Sequence, residues 1–204
     1  MQLPGRESRV TEEPFTQLAP MLEALSEAIK PYCEIPFAFF GHCMGALIAF
    51  ELARRLNDRQ QVLLQNLFVA GCRAPQLPRS EQAIHELPEP DFVAKLRELN
   101  QVPELVLQDE ELLSLFMPVL RADFSVWDTY AYSDGKVLDC PISVFGGTQD
   151  RKLMLEALQP WRDQTRSAVT SRMLPGDHFF VHSSRSLLLR CITEDLRRTS
   201  PQSR

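Results

Sequence analysis

The chain has 204 residues, a net charge of −5, and 44% hydrophobic against 24% charged residues, the proportions of one globular domain with room for an inserted subdomain. Interspersed acidic and basic residues argue against a nucleic-acid footprint, no apolar run approaches the roughly 20 residues that span a bilayer, and Met1-Gln2-Leu3-Pro4-Gly5-Arg6-Glu7 lacks the apolar core of a signal peptide, so neither nucleic acid nor membrane is an expected partner. The five cysteines, Cys33, Cys43, Cys72, Cys140 and Cys191, are odd in number and show no C-x-x-C spacing, which indicates neither a disulfide framework nor a metal site and sets a reducing, cytoplasmic location as the expectation.

Phe15, Leu18, Leu22, Leu25 and Ile29 recur at helical spacing, with Pro20 arguing for a late start or a kink and Pro31 ending the pattern. A short apolar strand is predicted over 35–40, a helix over 46–56, and a strand over 63–70 ending at Gly71. Helix, strand, helix, strand is a parallel α/β pattern. From about 73 to 136 prolines break the chain, no strand-like run occurs, and helices are predicted over 91–99 and from 110 through 120 toward 131. The α/β pattern then resumes, with a strand over 141–145, a turn at Gly146-Gly147, a helix over 153–161, a strand over 169–174 and a final helix from 184 to about 197, before a frayed tail at 199–204. The expected organisation is an α/β core from 1–75 and 137–204 and a helical insertion over 76–136.

Between the first strand and its helix stands Gly41-His42-Cys43-Met44-Gly45-Ala46. Strand, sharp turn and helix is the context in which a G-x-nucleophile-x-G motif raises its central side chain above a sheet edge. Two glycines let the backbone pass close on either side of the turn, and the helix N-terminus favours an anion. A nucleophile here needs a base. His178, in Leu174-Pro175-Gly176-Asp177-His178-Phe179-Phe180, follows a strand and a glycine turn, where α/β sheets gather ligands. The base needs an acid, and Asp150 stands just past the preceding strand. Asp150 also reads as a helix N-cap, and Asp177 is a rival acid whose side chain, next to His178, is expected to point elsewhere. His42 is expected to shape the elbow and pocket floor rather than act as base, and His85 and His182 to be surface or packing residues. Nucleophile, acid, histidine is the chain order of the α/β-hydrolase fold, with a mostly parallel sheet.

The elbow with Phe50-Glu51-Leu52-Ala53 after it resembles the type II thioesterases of nonribosomal peptide and polyketide synthesis. So do Gln2-Leu3-Pro4-Gly5-Arg6-Glu7-Ser8-Arg9, Leu67-Phe68-Val69-Ala70-Gly71-Cys72-Arg73-Ala74-Pro75, Pro118-Val119-Leu120-Arg121-Ala122-Asp123-Phe124, Cys140-Pro141-Ile142 with Phe145-Gly146-Gly147, and Pro175-Gly176-Asp177-His178-Phe179-Phe180. The resemblance covers nearly the whole chain. It implies hydrolysis of acyl groups from the phosphopantetheine of acyl or peptidyl carrier proteins, clearing misprimed synthases of antibiotic biosynthesis, with no cofactor beyond the arm the substrate brings. It makes Cys43, Asp150 and His178 the catalytic residues and Met44 N–H an oxyanion donor. The insertion becomes a lid, offering Phe116, Met117, Phe124 and Trp127 to an acyl channel or keeping them as its own core.

Two departures from the family pattern stand out. The family usually has Ser where this chain has Cys43, a competent nucleophile beside a histidine, whose acyl-enzyme would itself be a thioester. Family members also carry a strand, an oxyanion loop and a helix before the segment at Gln2, and the chain offers no candidate for that loop's N–H. Loss of one such donor costs about 10²–10³ in rate, roughly 3–4 kcal/mol. A non-catalytic or weakly active carrier-protein binder is therefore the alternative expectation, and a truncated, poorly folded fragment a further one.

Overall fold

A computed structural model describes residues 1–59, 63–78, 83–99, 102–150, 153 and 155–199. The chain folds as two compact units, one formed by Met1–Met21 with Arg79–Ala131 and the other by Leu22–Pro78 with Tyr132–Arg204. The sequence pattern places residues 1–75 in the α/β core; by contacts Met1–Met21 group with Arg79–Ala131. Elements run in the order α1 (Leu18–Ile29), β1 (Phe37–His42), α2 (Met44–Arg59), β2 (Leu64–Ala70), α3 (Glu89–Leu99), α4 (Glu104–Gln108), α5 (Glu110–Thr129), β3 (Ile142–Gly147), α6 (Leu155–Leu158), β4 (Val169–Leu174), α7 (Phe180–Ser183) and α8 (Arg185–Thr199).

The sheet has the order β1-β2-β3-β4, and every pairing is parallel. Its central strands are buried on both faces, so they are mostly apolar rather than regularly alternating. Leu67, Phe68, Val69 and Ala70 of β2 and Ile142, Val144 and Phe145 of β3 are all at most 1% exposed. On one face Phe68, Phe145, Leu174, Phe180, Leu188 and Cys191 form a cluster. Phe50 of α2 meets Trp161 edge-on at 5.2 Å, and the Trp161 indole N–H donates to Cys72 O at 3.0 Å. β1 is an edge strand on which Phe40 is 47% exposed.

A polar network crosses this core. Asn66 donates to Ser143 Oγ at 3.1 Å, Ser143 donates to Asp195 at 2.8 Å, and Arg172 grips both Asp195 oxygens at 2.6 and 2.7 Å. Burial opposes the Asp195 charge, but the hydrogen bonds from Arg172 and Ser143 outweigh it and hold the carboxyl below its ordinary range.

The helical unit has its own core of Ile84, Phe92, Val93, Leu96, Val102, Leu107 and Met117. Its N-terminal segment is tied by Arg6 to Asp123 at 2.7 Å and by Ser125 Oγ to Thr16 O at 3.0 Å. α5 starts at Asp109, whose side chain caps Glu111 N and Leu112 N, and it runs on through Pro118 in its interior. His85, expected at the surface or in packing, faces Asp128 at 2.8 Å, and Arg121 donates to the carbonyls of His85 and Leu87.

Most elements lie within two residues of their predicted bounds. The turn expected at Gly146-Gly147 is the end of β3, and the helix expected over 153–161 is a short α6 continued by a 3-10 turn at Gln159–Gln164. Met154 in that stretch, residues 79–82 and 100–101 of the insertion, and residues 200–204 of the expected frayed tail fall outside the described residues. No described helix is long and apolar enough to cross a membrane, and the described residues contain no cluster of three His, Cys, Asp or Glu suited to a metal.

Candidate active site

The strand register decides where the chemistry can assemble. His42 pairs with Ala70, Ala70 with Phe145, and Gly147 with Leu174, so all four strands end at the same side of the sheet. The next residues of each strand therefore form one group of loops. They include Cys43 after β1, Gly71 after β2, Asp150 after β3 and His178 after β4.

Cys43 occupies the turn between β1 and α2. Its φ of 53° lies in the left-handed region, a cost of roughly 1–3 kcal/mol for a non-glycine residue. The turn is pinned by Cys43 N–H donating to Ala70 O at 2.9 Å and Ala46 N–H donating to Cys43 O at 3.0 Å. Gly41 is obligatory, because a Cβ there would lie 2.2 Å from Gly45 O. Gly45 departs from the expectation of close passage on both sides, since a Cβ there meets nothing within 4 Å. Met44 opens α2, so its N–H belongs to the first turn, which has no intrahelical acceptor.

His178 arrives on the loop after β4. That loop is stitched to the one after β3 by Thr148 N–H to Leu174 O at 2.9 Å and Gln149 N–H to Gly176 O at 2.8 Å. They lie so close that a Cβ on Gly147 would stand 2.3 Å from Asp177 O. His178 Nδ1–H donates to Asp150 Oδ2 at 2.9 Å, and both side chains are 8% exposed. Of the two candidate acids it is Asp150 that meets the imidazole, while Asp177 accepts from Phe179 N–H at 2.8 Å. α6 begins at Leu155, five positions after Asp150.

With Nδ1 engaged by Asp150, Nε2 of His178 is the ring nitrogen left for the neighbouring Cys43. Burial works against the charged ring, but the hydrogen bonds of Asp150 and Cys43, and their charges, raise its pKa to about 9. An imidazolium beside a half-exposed sulfur at a helix N-terminus is the setting of a reactive cysteine. Cys140 is the contrast. It lines a cavity of about 340 Å³ at the opposite ends of β1 and β2, and burial pushes its thiol up to about 12.

Sequence reasoning did not anticipate what His42 touches. Its Nε2 lies 2.9 Å from the main-chain O of His178. The only signal for it was the position of a histidine beside the nucleophile. Of the remaining candidates, Met117 is buried in the core of the helical unit, Phe124 packs edge-on against Phe92 at 5.7 Å, and Phe116 and Trp127 are half-buried. His182 is exposed on α7.

Residues 1–196 match the family described as "Thioesterase domain". The chain belongs to the thioesterase family. It is a hydrolase of thioester bonds with an α/β-hydrolase fold. This thioesterase is 46% identical over 197 residues to the "Gramicidin S biosynthesis protein GrsT" of Aneurinibacillus migulanus, a match covering 97% of this chain and 77% of that protein. It is 36% identical to the "Thioesterase PikA5" of Streptomyces venezuelae, covering 89% of this chain and 65% of that one. Among solved structures, the type II thioesterase BorB from the borrelidin biosynthetic cluster superposes with a TM-score of 0.86 at 34% identity, covering 96% of this chain and 79% of that one.

Proposed function

We propose that this thioesterase removes acyl groups from the phosphopantetheine arm of carrier proteins in nonribosomal peptide or polyketide synthesis, editing misprimed synthases. The observation that carries the chemistry is the Asp150–His178 hydrogen bond beside Cys43 at one end of the sheet. The names of relatives such as GrsT and BorB support the biosynthetic setting.

In this reading His178 Nε2 holds the proton of the Cys43 thiol, and the Cys43 sulfur bonds to the substrate carbonyl carbon while the Met44 N–H donates to the oxygen that becomes negative. The carbon–sulfur bond to pantetheine breaks, and His178 gives its Nε2 proton to the departing sulfur. Water then attacks the Cys43 thioester. His178 takes a proton from that water and returns it to the Cys43 sulfur as the acyl group leaves as a carboxylic acid. Asp150 holds the imidazole in the required tautomer throughout. Phe116, Met117, Phe124 and Trp127 are proposed to line the acyl channel, and the cytoplasm is the proposed location.

The test is release of free thiol from an acyl-pantetheine thioester, and from an acyl-loaded carrier protein, by the purified chain and by Cys43→Ala. Equal rates for the two proteins end the catalytic assignment. Turnover of the small thioester without the loaded carrier ends the carrier-protein assignment alone.

A further inference from the structure

We propose that His42 is a positioning residue, whose Nε2–H holds the main-chain carbonyl of His178 and so fixes the base opposite Cys43. The inference rests on the role given above to Cys43 and His178. The partner atom at 2.9 Å is a carbonyl oxygen, which only accepts, so the proton must be on His42 Nε2. His42 is the last residue of β1 and pairs in register with Ala70, so the donor is anchored to the sheet. His178, by contrast, sits on a turn between β4 and α7, where nothing in the ladder fixes its carbonyl.

The surroundings are shaped for this contact. The His42 ring lies 4.8 Å from the His178 ring and meets Phe180 edge-on at 6.1 Å. Its other neighbour is the bare backbone of Gly71. A Cβ there would stand 2.8 Å from His42 Nε2 and 3.4 Å from His178 Cε1, and the Gly71 φ of 59° strains any other residue. The two histidines are held in opposite states. Burial, then the charge of the neighbouring His178 and more weakly His182, outweighs the hydrogen bond to His178 and the attraction of Asp150, and lowers the His42 pKa to about 4. His42 therefore stays neutral, and remains a donor, while His178 gains and loses its proton.

Two substitutions separate positioning from packing. His42→Phe keeps a ring and removes the donor; His42→Gln restores an N–H at similar reach. For His42→Phe the expected result is acylation by an acyl-pantetheine slowed about 10- to 100-fold with KM little changed, and a shifted pH profile of Cys43 alkylation. His42→Gln is expected to recover most of the rate and the profile. Wild-type behaviour of His42→Phe, or a His42→Gln as impaired as His42→Phe at an unchanged melting temperature, overturns the proposal. Should His42→Phe fail to fold, nitrogen-15 NMR of the unsubstituted chain decides, since a His42 ring protonated on Nδ1 rather than Nε2 overturns it. That spectrum reads the contact even if the chain has no activity, so a failure of the proposed function is distinguishable from a failure here.

Discussion

Asp150 and His178 stand 28 positions apart in the chain, yet their side chains meet at 2.9 Å with almost no access to water. The pair exists because β3 and β4 end in register and their loops are stitched by backbone hydrogen bonds. Replacing Asp150 by Asn reverses the preferred tautomer without emptying the site. Thiol release from an acyl-pantetheine is then expected to fall by about 10²–10⁴, with KM little altered. A loss of less than threefold would show that Asp150 does not orient the base.

The charge on His178 is expected to depend on its sulfur neighbour. Two of the influences that raise its pKa to about 9 come from Cys43. In Cys43→Ala the NMR titration of His178 should move down toward the ordinary histidine value, and in Asp150→Asn it should move down as well. An unchanged titration in both variants would remove the physical basis of the site.

The two central histidines predict a pH optimum for stability. His178 has a raised folded pKa, so its contribution is complete below the unfolded value of 6.5 and is lost as pH rises through about 9. His42 is depressed, so its contribution is complete above 6.5 and is lost as pH falls toward about 4. Urea unfolding at constant ionic strength should therefore show stability declining on both sides of the range around pH 6.5, and the acid-side decline should be smaller in His42→Gln.

Asp195 is the structural counterpart. Its charge is matched by Arg172 and Ser143 inside the fold. Asp195→Ala strands the Arg172 guanidinium, which keeps some contact with water, and is expected to destabilise by about 2–3 kcal/mol in chemical denaturation. Because the Asp195 pKa is lowered, this contribution is present above the ordinary carboxylate range and is lost as pH falls through the folded value.

The proposed sulfur nucleophile makes a further outcome measurable. Transfer from pantetheine to Cys43 converts one thioester into another and is nearly isoenergetic, whereas Cys43→Ser would form a more stable ester. With an added small thiol, the unsubstituted chain should return a larger share of the acyl group to thiol than to water than Cys43→Ser does. Equal partitioning would argue against an acyl-Cys43 intermediate.

Much of this arrangement was legible before any coordinates. Mostly apolar runs located β2 and β3 because strands buried on both faces need no polar alternation. The elbow, Asp150 and His178 were legible because each follows a predicted strand, and parallel strands bring such loops together. Other features depend on the third dimension. The openness around Gly45 and the grouping of residues 1–21 with the helical insertion have no local signature. Neither does the His42 bond to His178, which joins positions 136 apart through a backbone atom that every residue possesses. α4, only five residues long, is too short to show a period.

The near contact of Gly147 with Asp177 carries a consequence for how the base travels. Cys43 follows the first strand and His178 the last, and those strands lie three ladder spacings, about 14 Å, apart. The segment bearing His178 must therefore lean back over the ends of β3 and β2, and those crossings are the places where Gly147 and Gly71 leave headroom. A methyl group at either crossing would lift the span like a stone under a plank, taking the imidazole out of range of the sulfur while the sheet beneath stayed intact.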